Sequence, residues 1–323
     1  LVICYKCFEW KKPCTGALKG LPGMAVGKYG KKSLFTGFEG SSMMELSTQR
    51  EAGTNMKILI KGAGDLATGI AYEFWLAGHQ ILMTDIEAPL AVRRTVSFSR
   101  AVYEGEAQVE QAKGILVQNL EEALGVTKAG NIAVIVDPQA KIRETYCPDV
   151  LIDGIMAKKN LGTRIGDAPV VIGIGPGFTA GADCHFVIET QRGPSLGQVI
   201  SEGSAIPNTG IPGEIAGYTI ERLVRASASG TMEPIAQIGD LVKKGQTVAM
   251  TGGVPVCAQM SGIVRGMLQE GVQVEKGLKI GDIDAREDRT YCVTISDKAR
   301  RIGKGALEAA FSGSPRFRKE GEN

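Results

Sequence analysis

From position 56 onward, short apolar runs alternate with stretches of helical period, and that alternation predicts an α/β protein. Lys57-Ile58-Leu59-Ile60 reads as a buried strand and Gly62-Ala63-Gly64 as a tight turn. A helix is expected from Asp65 to Ala77, with Leu66, Ile70 and Phe74 on one face and Gly78 as its stop. Gln80–Thr84 supplies the next strand, so the first β-turn-α-β unit has the compact form of a parallel crossover. Further strands are expected at 115–117, 132–136, 150–152, 170–174 and 186–189, with helices at 119–124 and 141–145.

The pattern then changes. Residues 191–217 are rich in turn residues, as in Gly193-Pro194 and Pro207-Asn208-Thr209-Gly210, and loops this long commonly carry function. From about Gly230 to Asp284, short strands alternate with glycine turns. Gly239–Gln246 and Glu270–Gly277 are near-duplicates, and two interleaved halves of this kind resemble a biotinyl/lipoyl-like barrel-sandwich. A carrier would need a lysine at the tip between the halves. Residues 251–257 contain none, so neither biotin nor lipoate is expected. A short helix near Gly305–Phe311 and a basic end at 316–319 close the chain.

The expected fold is therefore α/β, with a Rossmann-like parallel sheet domain followed by an all-β barrel-sandwich domain. The expected divisions are an N-terminal extension at 1–55, a nucleotide-binding domain with a loop-rich second part at 56–229, a β domain at 230–286, and a strand/helix and tail at 287–323. Residues 1–55 show no sustained period, and Met56, directly before a strong strand, reads as a natural start.

Composition narrows the function classes. The 43 glycines are about twice the usual ~7% share, which favours close backbone approaches. The first 55 residues hold eight basic and four acidic residues, leaving 29 and 31 elsewhere, so the folded part carries no basic signal for nucleic acid. No run of about 18 apolar residues predicts a membrane span. The seven cysteines are scattered, which fits a reducing cytoplasm. Cys4, Cys7 and Cys14 lack a second pair at zinc-finger spacing, and with only His79 and His185 in the chain no metal site is expected.

The clearest chemical signal is Gly62-Ala63-Gly64-Asp65-Leu66-Ala67, a G-x-G-x-x-A string between strand and helix. Gly62 permits the turn, Gly64 lets backbone approach a phosphate, and Ala67 lets the helix pack closely. Asp85, 21 residues after Gly64, stands where an acid binds a ribose hydroxyl, or it simply ends a strand. Asp65 stands where phosphate oxygens would lie, and its alternative role is to cap the helix. A second loop, Gly173-Ile174-Gly175-Pro176-Gly177, either lines the same crevice or is a plain turn. Glu189, Thr190, Arg192, Asn208 and Thr209 form a candidate polar wall, in which Arg192 binds a phosphate or pairs with an acid. Asp183-Cys184-His185 is the one place where a thiol, an imidazole and an acid adjoin. Alternation along a strand would point them to opposite faces, so an inert Cys184 is the favoured reading. No catalytic residue is assigned.

Three blocks carry a family resemblance: Ile60 through Gly69, Gly173 through Arg192-Gly193, and Ala205 through Pro212-Gly213. Through them Met56–Phe311 resembles the YqeB family of selenium-dependent molybdenum hydroxylase system proteins, related in role to the XdhC-type accessory proteins of xanthine dehydrogenase. The chain departs from that pattern at Pro194 and Gln198, where the family usually has His and Arg. The resemblance implies a maturation factor that binds a nucleotide-like ligand or a molybdenum pterin cofactor and docks a hydroxylase client. The fingerprint alone allows an NAD(P)-dependent oxidoreductase of a small substrate instead. A non-catalytic docking or scaffold protein is the third reading.

Overall fold

The computed structural model describes residues 55–208, 210 and 213–313. Expectations placed on residues 1–54 with Cys4, Cys7 and Cys14, on Thr209 and Pro212, and on the basic end at 316–319 lie outside the described residues.

The first body is built in chain order from β1 (Lys57–Lys61), α1 (Asp65–Leu76), β2 (Gln80–Asp85), α2 (Ala101–Glu104), β3 (Glu106–Val109), β4 (Ala112–Val117), α3 (Leu120–Lys128), β5 (Ile132–Val136), α4 (Arg143–Tyr146), β6 (Val150–Asp153), β7 (Val170–Ile174), β8 (Phe186–Ile188) and β9 (Val199–Ile200). Its sheet runs β3-β4-β5-β2-β1-β6-β7-β8-β9. β1 lies near the middle because Ile58, Leu59 and Ile60 are all fully buried, so both faces need cover. Its two neighbours, β2 and β6, both run parallel to it. The chain goes outward from β1 to β2 on one side and returns to β6 on the other, so the direction of winding reverses between β1 and β6. Loops diverge there, and a crevice opens at the carboxyl ends of the strands.

The sheet is mixed, which corrects the expected Rossmann-like parallel sheet. β3 pairs antiparallel with β4, and β9 antiparallel with β8, so both edges are hairpins. Edge strands this short escape a search for apolar runs: β3 alternates exposed and buried residues, and β9 has only two residues.

The second body comprises β10 (Leu223–Arg225), β11 (Gly230–Pro234), β12 (Leu241–Val242), β13 (Thr247–Thr251), β14 (Val254–Cys257), β15 (Gly262–Met267), β16 (Gln273–Val274) and β17 (Lys279–Asp284). These strands form two four-stranded antiparallel sheets, β10-β17-β15-β12 and β14-β13-β11-β16. The expected biotinyl/lipoyl barrel-sandwich is corrected to this arrangement. The near-duplicate segments place β12 and β16 in different sheets, and one sheet takes its edge strand, β10, from outside the duplicated region. The second body is fastened to the first through Val92, whose carbonyl accepts from Met267 N, and through Arg94, whose Nε donates to the Met267 carbonyl.

After α5 (Thr290–Val293), the helix α6 (Asp297–Gly313) returns to the first body and lies against α1. Its buried face is Ala299, Ile302, Gly303, Ala306, Ala309 and Ala310, a helical spacing made of small residues. The approach is close: a Cβ on Gly69 would lie 2.5 Å from the Ala299 Cβ, and one on Gly303 would lie 2.9 Å from the Gly69 carbonyl oxygen. The helix expected near Gly305–Phe311 is therefore only the end of a longer element that closes the core.

Candidate functional site

The crevice forms where the loop after β1 meets the loop after β6. Gly62 holds φ +89, and a Cβ there would lie 3.1 Å from the Ile155 backbone, so only glycine suits the position. Across the gap, a Cβ on Gly154 would sit 3.2 Å from the Ala67 Cβ, which gives the small residue at 67 its packing reason. Gly64 is different. It is the N-cap of α1 with ordinary extended backbone, and nothing lies within 4 Å of where its Cβ would be. Neither conformation nor packing calls for glycine there. No side chain caps the helix at this point.

Two acids predicted at this site are placed. Asp65 does not cap α1 and does not face the crevice as a free charge. Both of its oxygens accept from Arg93 Nη1, at 2.9 and 3.0 Å, so an almost fully buried guanidinium neutralises it. Asp85 ends β2 and ties the loop after β1 to the loop after β2: its Oδ2 accepts from Ala63 N at 3.0 Å and its Oδ1 from Ile86 N at 2.8 Å. Burial raises its carboxyl above the usual range despite those two bonds. Each oxygen keeps a lone pair for a further donor. Gly62, Gly64, Asp65 and Asp85 share the lining of a cavity of about 630 Å³ with Leu90, Pro138 and Leu161. Its wall is otherwise mostly apolar, as a base or other flat ring requires.

The loop after β6 is held by a buried group that the sequence did not reveal. Lys61 Nζ lies 3.0 Å from Asp153 Oδ2 and donates to Thr163 Oγ1, which in turn donates to Asp153 at 2.6 Å. Between these anchors, Met156 and Lys158 adopt φ +62 and +63. Left-handed backbone at two residues with side chains stores strain, and such strain gathers at ligand sites.

The second glycine loop is architectural. A Cβ on Gly173 would meet the Phe178 ring at 2.5 Å, one on Gly175 would meet Thr190 Oγ1 at 2.7 Å, and one on Gly177 would meet the Lys159 backbone at 2.7 Å. All three are packed against protein, and Pro176 of this loop lines a cavity. Glu189 is likewise spent on structure: its Oε1 accepts from Thr190 N and Gln191 N at 2.6 Å, and its Oε2 accepts from Ile206 N at 2.8 Å. It fixes the polar wall and does not face a ligand. Thr190, Arg192 and Asn208 do come together, around a second cavity of about 530 Å³ that shares Met156 with the first. Arg192 pairs with Asp297 at 3.0 and 3.2 Å, and the Asn208 amide oxygen accepts from Lys158 Nζ at 3.1 Å. Sequence reasoning missed the cations that line this cavity, Lys158, Arg225, Lys279 and Lys298. For Lys158 the signal was present, since it follows the carboxyl end of a recognised strand. The other three arrive from distant segments and carry no local signal.

Cys184 and His185 make no dyad. Cys184 is fully buried and its thiol is pushed up to about 11, while His185 Nδ1 accepts from Val171 N and burial lowers its pKa. Among the described residues no group of three or more His, Cys, Asp or Glu could hold a metal ion. Among the same residues no helix is long and apolar enough to cross a membrane.

Fold and site together define an α/β protein with a ligand-sized crevice at the carboxyl edge of a mixed sheet. No family model matches the chain. It is similar to the uncharacterized protein YqeB of Escherichia coli K12, with 47% identity over 252 residues, covering 78% of this chain and 47% of that protein. The YqeB resemblance read from the motifs is thus supported, and the chain spans about half the length of the curated relative it matches. Among solved structures, a succinylglutamate desuccinylase/aspartoacylase from Rhodobacter sphaeroides is 16% identical with a TM-score of 0.24, covering 73% of this chain and 87% of that one. The product-bound ectoine utilization protein EutE (DoeB) from Ruegeria pomeroyi is 12% identical with a TM-score of 0.21, covering 72% and 85%. Likenesses this weak carry no activity to this chain.

These findings correct the functional expectation. The curated relative is named only as uncharacterized, so its likeness gives the accessory role no support. The accessory role is withdrawn, and with it the molybdenum and selenium associations.

Proposed function

We propose that the chain binds a nucleotide-like small molecule in the crevice between the loops after β1, β2 and β6. One observation carries this reading: Gly64 stands at an uncapped helix N-terminus with open space where a side chain would be. Free N–H groups and the helix dipole favour an anion there, and the missing Cβ lets it approach. Asp65, the acid next to Gly64, is neutralised by Arg93. The partly buried Asp85 accepts from a ribose hydroxyl, and the apolar wall takes the ring. The role that results is recognition of the ligand.

The test is isothermal titration of the full chain with NAD+, NADP+ and ADP, repeated on Gly64→Val. Valine tolerates the observed backbone and meets no neighbour, so the variant keeps its fold and melting temperature. Binding by the native chain, lost by about tenfold or more in the variant, is the expected result. A native chain that binds none of the three, or a variant that binds as well, refutes the reading.

A further inference from the structure

The second cavity has a charge imbalance that the fold does not resolve. Lys158, Arg192, Arg225, Lys279 and Lys298 line it, and among the described residues no Asp or Glu does. Arg192 has a dedicated partner in Asp297. Lys279 lies 3.4 Å from Asp282, but Asp282 already accepts two bonds from Arg222 and faces Arg265 at 3.5 Å. Among the described residues the remaining three pair with no carboxylate. Lys158 meets only the neutral amide of Asn208, Arg225 donates to the Gly277 carbonyl, and the Lys298 ammonium makes no hydrogen bond or ion pair among the described residues.

The cost of this arrangement shows at Lys298. Burial holds its pKa below the ordinary value and Arg192 adds to the effect, while Asp65, Glu189 and Asp297 act the other way. Their carboxylates are engaged elsewhere, with Arg93, with three backbone N–H groups and with Arg192 respectively. Like charges gathered in one concavity repel at short range, and only a bound anion offsets that repulsion where water is partly excluded. The strained backbone at Lys158 then has a purpose: it holds a cation on the cavity wall.

We propose that this cavity is a binding site for an oligophosphate. Three lysines act as compact donors that approach phosphate oxygens from any direction, and two arginines add planar forks. A terminal phosphate carries roughly −1.5 to −2 charge at pH 7, so a chain of two or three phosphates matches the uncompensated cations. A dicarboxylate brings too little charge, and the cavity of about 530 Å³ admits a small molecule, not a polymer. The inference stands apart from the crevice reading, because it rests on different residues. Met156 borders both cavities, so one ligand can span them, its ring on the apolar wall of the first and its outer phosphates against Lys158 and Lys298.

The experiment is titration of the full chain with inorganic triphosphate, and with citrate as a carboxylate control, at low and at physiological ionic strength. Triphosphate is expected to bind, to weaken steeply with salt, and to bind better than citrate. Lys298→Met and Lys158→Met are each expected to weaken it by about tenfold or more, whereas Lys304→Met, exposed on the same helix, leaves it unchanged. Lys158 lies on an exposed loop, so its variant decides the matter if α6 does not tolerate the loss of Lys298. Absence of triphosphate binding, equal binding of citrate, or indifference to Lys158→Met overturns the proposal. Triphosphate binding without any nucleotide binding sustains this site and removes the crevice reading; nucleotide binding without triphosphate binding does the reverse.

Discussion

Arg93 ties the glycine loop to the α5 segment, and replacing it gives the sharpest prediction of stability. Its Nη1 donates twice to Asp65, and its Nη2 donates to the carbonyls of Tyr291, at 2.9 Å, and Thr294, at 3.0 Å. The guanidinium is 6% exposed, whereas the Asp65 side chain retains 27%. Arg93→Met keeps the length of the stem and removes all four bonds. Breaking one side of a buried pair costs about 3–5 kcal/mol. The partial exposure of Asp65 and of both carbonyl residues lets water recover some of that, so about 3 kcal/mol is expected. For a folded unit of this size the loss corresponds to a fall in melting temperature of roughly 6–12 °C. Urea unfolding of Arg93→Met, Asp65→Asn and the double variant measures it. Removing both partners leaves no orphaned charge, so the double variant should recover about 2 kcal/mol relative to the sum of the singles. A single variant within about 1 kcal/mol of the native chain, or strict additivity in the double, would refute the claim that this pair neutralises the loop.

The α1–α6 contact predicts that Gly303→Val costs about 2–3 kcal/mol, since a Cβ at 303 already meets Glu73 Cγ at 2.7 Å and the Gly69 carbonyl oxygen at 2.9 Å; an unchanged urea midpoint would mean the helices are not in this register. Iodoacetamide at mildly alkaline pH should label exposed Cys147 in the folded chain while buried Cys184 and Cys292 react only after denaturant, as peptide mapping would show; early labelling of Cys184 contradicts its placement. The same burial has a pH signature. Cys184 rises from 9.0 to about 11 in the folded state, so its contribution to stability is complete below about pH 9 and is lost as pH rises through 11. Cys184→Ala should flatten the alkaline limb of the stability curve, and an identical limb in both proteins would sink the assignment.

How much of this was legible depended on where the physical signal lay. Strands buried on both faces announce themselves as continuous apolar runs, and β1, β2, β5, β6 and β7 lie where such runs occur. The edges did not, because an edge strand needs only half its residues buried and can be two residues long. The sequence makes α6 look too short for a different reason. Its contact face is alanine and glycine, residues that score weakly as hydrophobic yet permit the closest helix approach, while Lys298, Arg300, Arg301 and Lys304 disguise its first half as a charged segment. The cation cavity could be read only in part, at Thr190, Arg192 and Asn208. Its lining comes from the loop after β6, the wall near Thr190, β10, β17 and α6, and only the tertiary fold brings those together.

The two glycine loops show why sequence pattern and site must be argued separately. Gly62-x-Gly64 and Gly173-x-Gly175-x-Gly177 look alike, and each follows a buried strand at the same edge of the sheet. What separates them is what an added methyl would touch. At 173, 175 and 177 it would strike Phe178, Thr190 and the Lys159 backbone, so those glycines are accounted for by protein alone. At 64 it would strike nothing, at a helix end with no cap. What sets Gly64 apart is its place at the uncapped start of a helix, where the N–H groups beside it favour an anion. The same reasoning applies to the cavity beyond Met156, where cations lack carboxylates. In each place the protein's own atoms leave a requirement unmet, and both requirements are for an anion.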